Sequence, residues 1–165
     1  MQKNHAITQL SNADSEQIIN LILPIQQIEN NVPVTLADQP DLLDIENAYI
    51  HTGGGFWGYR HEGEIVGTIG LINIGNHGGT IRKMFVKKEY RGKELGVAQL
   101  LLEALTAYCK TVGITDLYLG TVHTLKAAIR FYERNGFQQT AKADLPASFP
   151  VMQVDDTFFH LNMHR

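Results

Sequence analysis

The chain has 165 residues, 44% of them hydrophobic, which is enough for one domain with a full core and short for two. A formal charge of −3 argues against a general nucleic-acid binder. The single cysteine, Cys109, excludes an intramolecular disulfide, and no signal-like or membrane-length apolar run occurs, so a cytoplasmic protein without membrane contact is expected. Charge is unevenly spread. Residues 1 to 81 hold Lys3 and Arg60 against nine acids (Asp14, Glu16, Glu29, Asp38, Asp41, Asp44, Glu46, Glu62 and Glu64). Six of the fourteen Lys and Arg residues (Arg82, Lys83, Lys87, Lys88, Arg91 and Lys93) fall within the next twelve positions, against Glu89 alone.

In chain order, Ala6 to Leu10 reads as a short strand. Asp14 or Ser15 can cap a helix with apolar positions Ile18, Leu21, Ile22, Ile25 and Ile28, which Pro24 should kink or split because it lacks a donor. Asn30 to Gln39 is a loop. Asp41 to Ile50 reads as a second helix. After a break at Thr52 to Gly55, Phe56 to Arg60 and Glu64 to Ile74 read as strands joined by a turn at Glu62-Gly63. A turn at Asn76 to Gly79 leads to the strand Thr80 to Val86, completing an antiparallel meander. The following helix carries one apolar stripe at 98, 101, 102, 105, 108, 109 and 112, with Gly113 as its C-cap. Leu117 to Val122 is then a strand reached by a βαβ crossover, which implies a parallel neighbour. Thr124 caps a helix ending at Asn135-Gly136, and Phe137 to Ala141 pairs with Thr157 to Met163 around a proline-containing loop.

Between the strand ending at Val86 and the long helix lies a basic turn with Gly92 and Gly96. A helix N-terminus offers unpaired N–H groups and the positive end of the helix dipole, so the turn suits a phosphate-bearing ligand. Neither GxxxxGK[ST] nor GxGxxG is present, which disfavours a Walker-type or Rossmann nucleotide site. Arg91 to Gly96, RGKELG, resembles the acyl-CoA pyrophosphate loop Q/R-x-x-G-x-G/A of the GNAT family of N-acetyltransferases, with Glu94 in place of the inner glycine. Ala128 to Phe137, AIRFYERNGF, is similar to the family's second signature, A-x-x-x-Y-E-x-x-G-F. Leu125 stands where the family often has Asn three residues before that Ala, a bond that Thr124 or His123 would have to replace.

The resemblance implies a single α/β (α+β) domain over residues 1–165, with a mixed, mostly antiparallel sheet of about seven strands, helices on both faces, and a parallel, splayed pair formed by the fourth and fifth strands. It implies acetyl-CoA as cosubstrate and direct transfer to a primary amine on a small molecule or peptide. The backbone of Met84, Phe85 and Val86 would bond the pantetheine arm, and the segment Arg91, Gly92, Lys93, Glu94, Leu95, Gly96 and Val97 would hold the pyrophosphate. Tyr132 corresponds to the tyrosine that protonates or orients the departing sulfur, a role open to a phenol. Dimers are common among such proteins, so a homodimer is admitted. Glu94 and Leu125 also keep a non-catalytic acyl-CoA-binding or sensing module in view, and a longer acyl group is a further alternative.

No general base is identifiable. His123 titrates in a useful range near the expected acceptor channel, with His77, Glu29 and Glu46 behind it, yet each also reads as an ordinary solvated side chain. Trp57 and its aromatic neighbours read as core or as pocket lining. The seven His are scattered without ligand spacing, and no metal is expected. The acidic first half makes a cationic acceptor an expectation, such as a polyamine, an aminoglycoside or a lysine side chain.

Overall fold

The computed structural model describes residues 6–92 and 94–163. Seven strands form one sheet: β1 Ile7–Gln9, β2 Gly55–His61, β3 Glu64–Gly75, β4 Gly78–Val86, β5 Asp116–Thr121, β6 Gln138–Thr140 and β7 Thr157–Asn162. Their spatial order is β1-β2-β3-β4-β5-β7-β6, antiparallel throughout except for the parallel pair β4 and β5. The expected mixed sheet is therefore present, as is the hairpin of the last two strands, with β7 lying between β5 and β6.

The turns explain the meander. Glu62 and Gly63 both have positive φ (52° and 83°), the geometry of a two-residue hairpin turn whose twist matches the flanking strands. At the next turn Asn76 and His77 adopt 52° and 64°.

Two cores flank the sheet. On one face helix α3, Val97–Val112, lays Leu101, Leu105 and Cys109 against Ile69, Leu71 and Leu117, joined by Tyr132 of the helix Lys126–Arg134. Each fully buried Leu of α3 contributes roughly 2 kcal/mol of transfer free energy, which fixes where the helix's first turn sits. Burial also pushes the Cys109 thiol up to about 12, so it stays protonated. On the other face helix α1, Ser15–Pro24, and helix α2, Ile45–Ala48, bury Ile18, Ile22 and Ile45 against Leu10 and Phe56. The helix Lys126–Arg134 is numbered α4.

Several expectations are corrected locally. The first helix does break at Pro24, continuing as one wide turn over Ile25–Glu29, and this turns Ile28 out to 81% exposure instead of burying it. The second helix is three short pieces, because Asp44 (φ −148°, ψ 73°) and Tyr49 (φ −124°, ψ −57°) leave helical geometry, and the Asp44 carboxylate caps Asn47 N–H at 3.3 Å. The cap of α4 falls on Leu125, without a side-chain bond, rather than on Thr124. Trp57 packs in the α3 core, 5.4 Å between ring centroids from Tyr108.

Candidate active site

β4 and β5 are paired only where Gly78–Thr80 meets Asp116–Tyr118; beyond that point they part. The cause lies in β4. Arg82 is opposite Gly70 and Phe85 opposite Thr68, so Lys83 and Met84 together face the single residue Ile69, a β-bulge with Lys83 at φ +55°. A bulge bends the strand and adds one residue to the pleat. Arg82, opposite Gly70, faces the α2 side, and Lys83 reaches the same side, its Nζ 3.3 Å from Asp41 Oδ2. Met84 points the other way, its Sδ accepting the Tyr132 hydroxyl at 3.7 Å. Among the described residues, the β5-facing edge of β4 from Ile81 to Val86 has no strand partner.

The fork holds a cavity of about 140 Å³, lined by Arg82 to Phe85 on one side and by Leu119, Gly120 and Tyr132 on the other. The expected contact residues Met84 and Phe85 thus line the gap, and Val86 ends the strand beside it. Tyr132 is buried against Phe137 and Phe159, and burial chiefly, with the Asp155 charge second, drives its phenol well above the usual tyrosine range. Its proton stays in place at neutral pH.

At the head of α3, Gly92 (φ +115°) and Gly96 (φ +64°) make the turn, and the Gly96 N–H bonds the Gly92 carbonyl at 3.2 Å. As N-cap, Gly96 has no side chain to offer the first-turn amides, and Val97 anchors that turn in the core. Glu94 and Leu95 are exposed, so the Glu94 carboxylate faces solvent; Lys93 lies outside the described residues. Arg91 turns back from the loop, donating from Nε to the Val86 carbonyl at 2.7 Å and from Nη2 to Glu29 Oε1 at 2.9 Å, with a second bond from Nη1 to Glu29 Oε2. The Arg91 hydrogen bond holds the Glu29 carboxyl below its ordinary range.

The basic cluster seen in the sequence is therefore not one phosphate patch. Arg91, Lys83 and Lys87 sit on Glu29, Asp41 and Glu64, acids of the first half, so much of the charge asymmetry along the chain closes within the molecule. Lys88 is exposed, and Arg82 enters the fork.

None of the bases weighed from the sequence lines the fork. His123 is exposed, with Nδ1 2.5 Å from Asp156; His77 Nδ1 lies 3.0 Å from the Gly113 carbonyl; Glu46 accepts from Asn12 N–H. The residue that sequence reasoning missed is Asp155. It ends the loop before β7 and lines the fork, and burial pushes its carboxyl up to about 6. Only the adjoining pair Asp155-Asp156 hinted at it, and nothing local ties that pair to Tyr132. Among the described residues no group of three or more His, Cys, Asp or Glu could hold a metal, and no helix is long and apolar enough to cross a membrane.

Comparison with known proteins agrees with this geometry. Residues 19–137 match the model of the acetyltransferase (GNAT) family. The chain is 30% identical over 109 residues to probable N-acetyltransferase family 8 member 5 of Mus musculus, covering 63% of this chain and 47% of that one. It is 33% identical over 107 residues to the uncharacterized N-acetyltransferase YjgM of Escherichia coli K12, covering 63% and 62%. It thus spans about half the length of the mouse relative and somewhat under two thirds of the bacterial one. A GNAT-family acetyltransferase from Staphylococcus aureus Mu50 superposes with a TM-score of 0.92 at 40% identity, over 95% of this chain and 98% of that one. The PaiA N-acetyltransferase of Thermoplasma acidophilum, solved with coenzyme A, shares the fold at a TM-score of 0.71 and 18% identity, covering 94% and 97%. A meander, a βαβ crossover, a bulged and forked parallel pair, and a family model spanning most of these elements lead to one conclusion: the chain belongs to the acetyltransferase (GNAT) family.

Proposed function

We propose that the chain is an acetyl-CoA-dependent N-acetyltransferase, one domain over residues 1–165 that moves an acetyl group to a primary amine by direct attack in a ternary complex. The observation that carries this reading is the fork, whose unpartnered β4 edge lies beside the buried Tyr132 hydroxyl. Bound acetyl-CoA supplies the activated acyl group as a thioester.

The chain's own part is positioning and proton control. The edge of Met84, Phe85 and Val86 offers backbone groups to an extended amide-bearing arm, as a strand would. Glycines at 92 and 96 let a phosphate approach the backbone, and the head of the sixteen-residue α3 favours its negative charge. Arg91 braces that turn through Val86 and Glu29 rather than reaching out from it. Tyr132, kept protonated by burial, donates a hydrogen bond to the departing sulfur in place of its bond to Met84. The acceptor arrives as an ammonium, so its cation must be met and its proton removed within the fork.

Replacing Tyr132 by Phe tests this. The ring and its packing remain, so coenzyme A affinity by calorimetry should hold while amine-dependent turnover falls by about a hundredfold or more. Wild-type protein that binds coenzyme A yet acetylates no amine in a broad panel would instead be an acyl-CoA sensor. No uptake of coenzyme A would sink both readings.

A further inference from the structure

Within the fork, two opposite charges, Arg82 and Asp155, face each other without closing an ion pair. Among the described residues, the Asp155 carboxylate has no hydrogen bond or ion pair, and the Arg82 guanidinium has the Met152 sulfur, 3.0 Å from Nη2, as its acceptor and no carboxylate. The contrast with their neighbours is sharp. Lys83 on the same strand lies 3.3 Å from Asp41, whose carboxylate also accepts the Tyr49 hydroxyl at 2.5 Å, so that pair is satisfied internally. A half-buried charge left unpaired is costly, and a thioether is a weak acceptor for a cation with five donors.

Both groups are firmly placed. Arg82 lines the fork from the last regular position of β4 before the bulge, opposite Gly70. Asp155 closes a turn through its N–H to the Met152 carbonyl at 3.1 Å, and the next residue is tied to β5 by Asp156 N–H to the Thr121 carbonyl at 3.0 Å. Its carboxylate lies over Gly120, where an added Cβ would come within 2.6 Å of Oδ2, so the missing side chain makes its room. Met152 and Asp155, three residues apart on one loop, bring the two charges to the same cavity.

We propose that the acceptor is a small primary amine that itself carries an anionic group, the anion held by Arg82 and the ammonium by Asp155. This rests on the reading of the fork as the site of acetyl transfer. The guanidinium fork matches a carboxylate in two parallel bonds, which an ammonium such as that of Lys83 cannot do. Arg82 and Asp155 line one cavity, which suits a single small molecule that carries both charges. Asp155 faces Arg82, Lys83, Tyr132 and Asp156, and desolvation outweighs the cations to place its carboxyl at about 6, where it can take a proton at neutral pH.

The proton balance closes. Asp155 removes one proton from the ammonium and returns it to solvent. The neutral nitrogen then forms the C–N bond as the thioester C–S bond breaks, and its second proton ends on the leaving sulfur, which accepts the Tyr132 hydrogen bond meanwhile.

Steady-state kinetics on matched amines tests the proposal: amino acids, their carboxamides, the corresponding decarboxylated amines, and aminophosphonates. Wild-type kcat/KM should favour anion-bearing amines over their amides by at least about tenfold, since the amide leaves the guanidinium unpaired. Arg82→Met should erase that preference by raising KM for the anionic amines far more than for the amides, with KM for acetyl-CoA level; Arg82→Lys should restore part of it. A phosphonate favoured over a carboxylate would sustain the proposal and identify the anion. Preference for polyamines or amides in the wild type, no turnover of any anionic amine by protein that binds acetyl-CoA, or unchanged selectivity in a normally melting Arg82→Met variant overturns it. Failure to bind acetyl-CoA at all would overturn the transfer reading instead.

Discussion

At the turn before α3, Arg91 and Lys87 are seated on Glu29 and Glu64, whereas in the fork Arg82 and Asp155 face each other without closing an ion pair among the described residues. The first region is exposed and braced by its own ion pairs. The second is half-buried and left with complementary gaps. On the proposed function the difference separates two tasks: a cradle for phosphates, where the backbone would do the binding, and a selective wall, where side-chain charge is kept free for a ligand.

Three experiments can break or sharpen that contrast. The largest effect is expected in the fork. Asp155→Asn should lower kcat/KM by about 10²- to 10³-fold and abolish the acid limb of the pH profile, which in the wild type rises through about pH 6 as the carboxyl ionises. The same group should carry a stability signature of opposite sign. Its folded-state pKa is raised, so the folded protein holds more protons than the unfolded chain between the ordinary carboxylate range and about 6, and stability falls as pH rises through that window. Above pH 6 the Asn variant should therefore melt higher than the wild type; a variant that melts lower there would contradict the picture.

Next comes the buried pair beside it. Lys83→Met removes the cation from Asp41, and leaving that carboxylate to the Tyr49 hydroxyl should cost about 3 kcal/mol in a denaturant titration. A change within error would mean the pair is well solvated.

The smallest effect is expected at the loop. Glu29→Gln should cost under about 1 kcal/mol, because the pair with Arg91 is exposed, and should weaken coenzyme A binding a few-fold by loosening the brace that Arg91 gives the turn. The folded pKa of Glu29 is depressed, so this stabilisation is present above the ordinary carboxylate range and lost as pH falls through the folded value. Tighter coenzyme A binding would show that a free cation, not the brace, is what the loop needs.

The same contrast explains what could be read in the sequence. The loop and α3 are contiguous, so their glycines, apolar stripe and cap at Gly113 appeared as local pattern, and the crossover to β5 followed from strand-helix-strand order. Tyr132 was reached through a ten-residue motif. The fork's selective wall is assembled from β4, β5 and the loop before β7, up to 73 positions apart between Arg82 and Asp155. Periodicity could not forecast the bulge either: a plain strand would place Arg82 and Met84 on one face and Lys83 on the other. Counting charges misled for a related reason, since the acids opposite the basic run come from residues 29, 41 and 64.

That extra residue at Lys83 has a corollary for how the protein could change its chemistry. By shifting the strand's parity it places position 82 on the opposite face of β4 from Met84 and Tyr132, so on the proposed function the side chain that would meet the acceptor and the one that would meet the sulfur leave the strand on different faces. A lineage could retune its acceptor by altering one strand position and leave the transfer machinery standing.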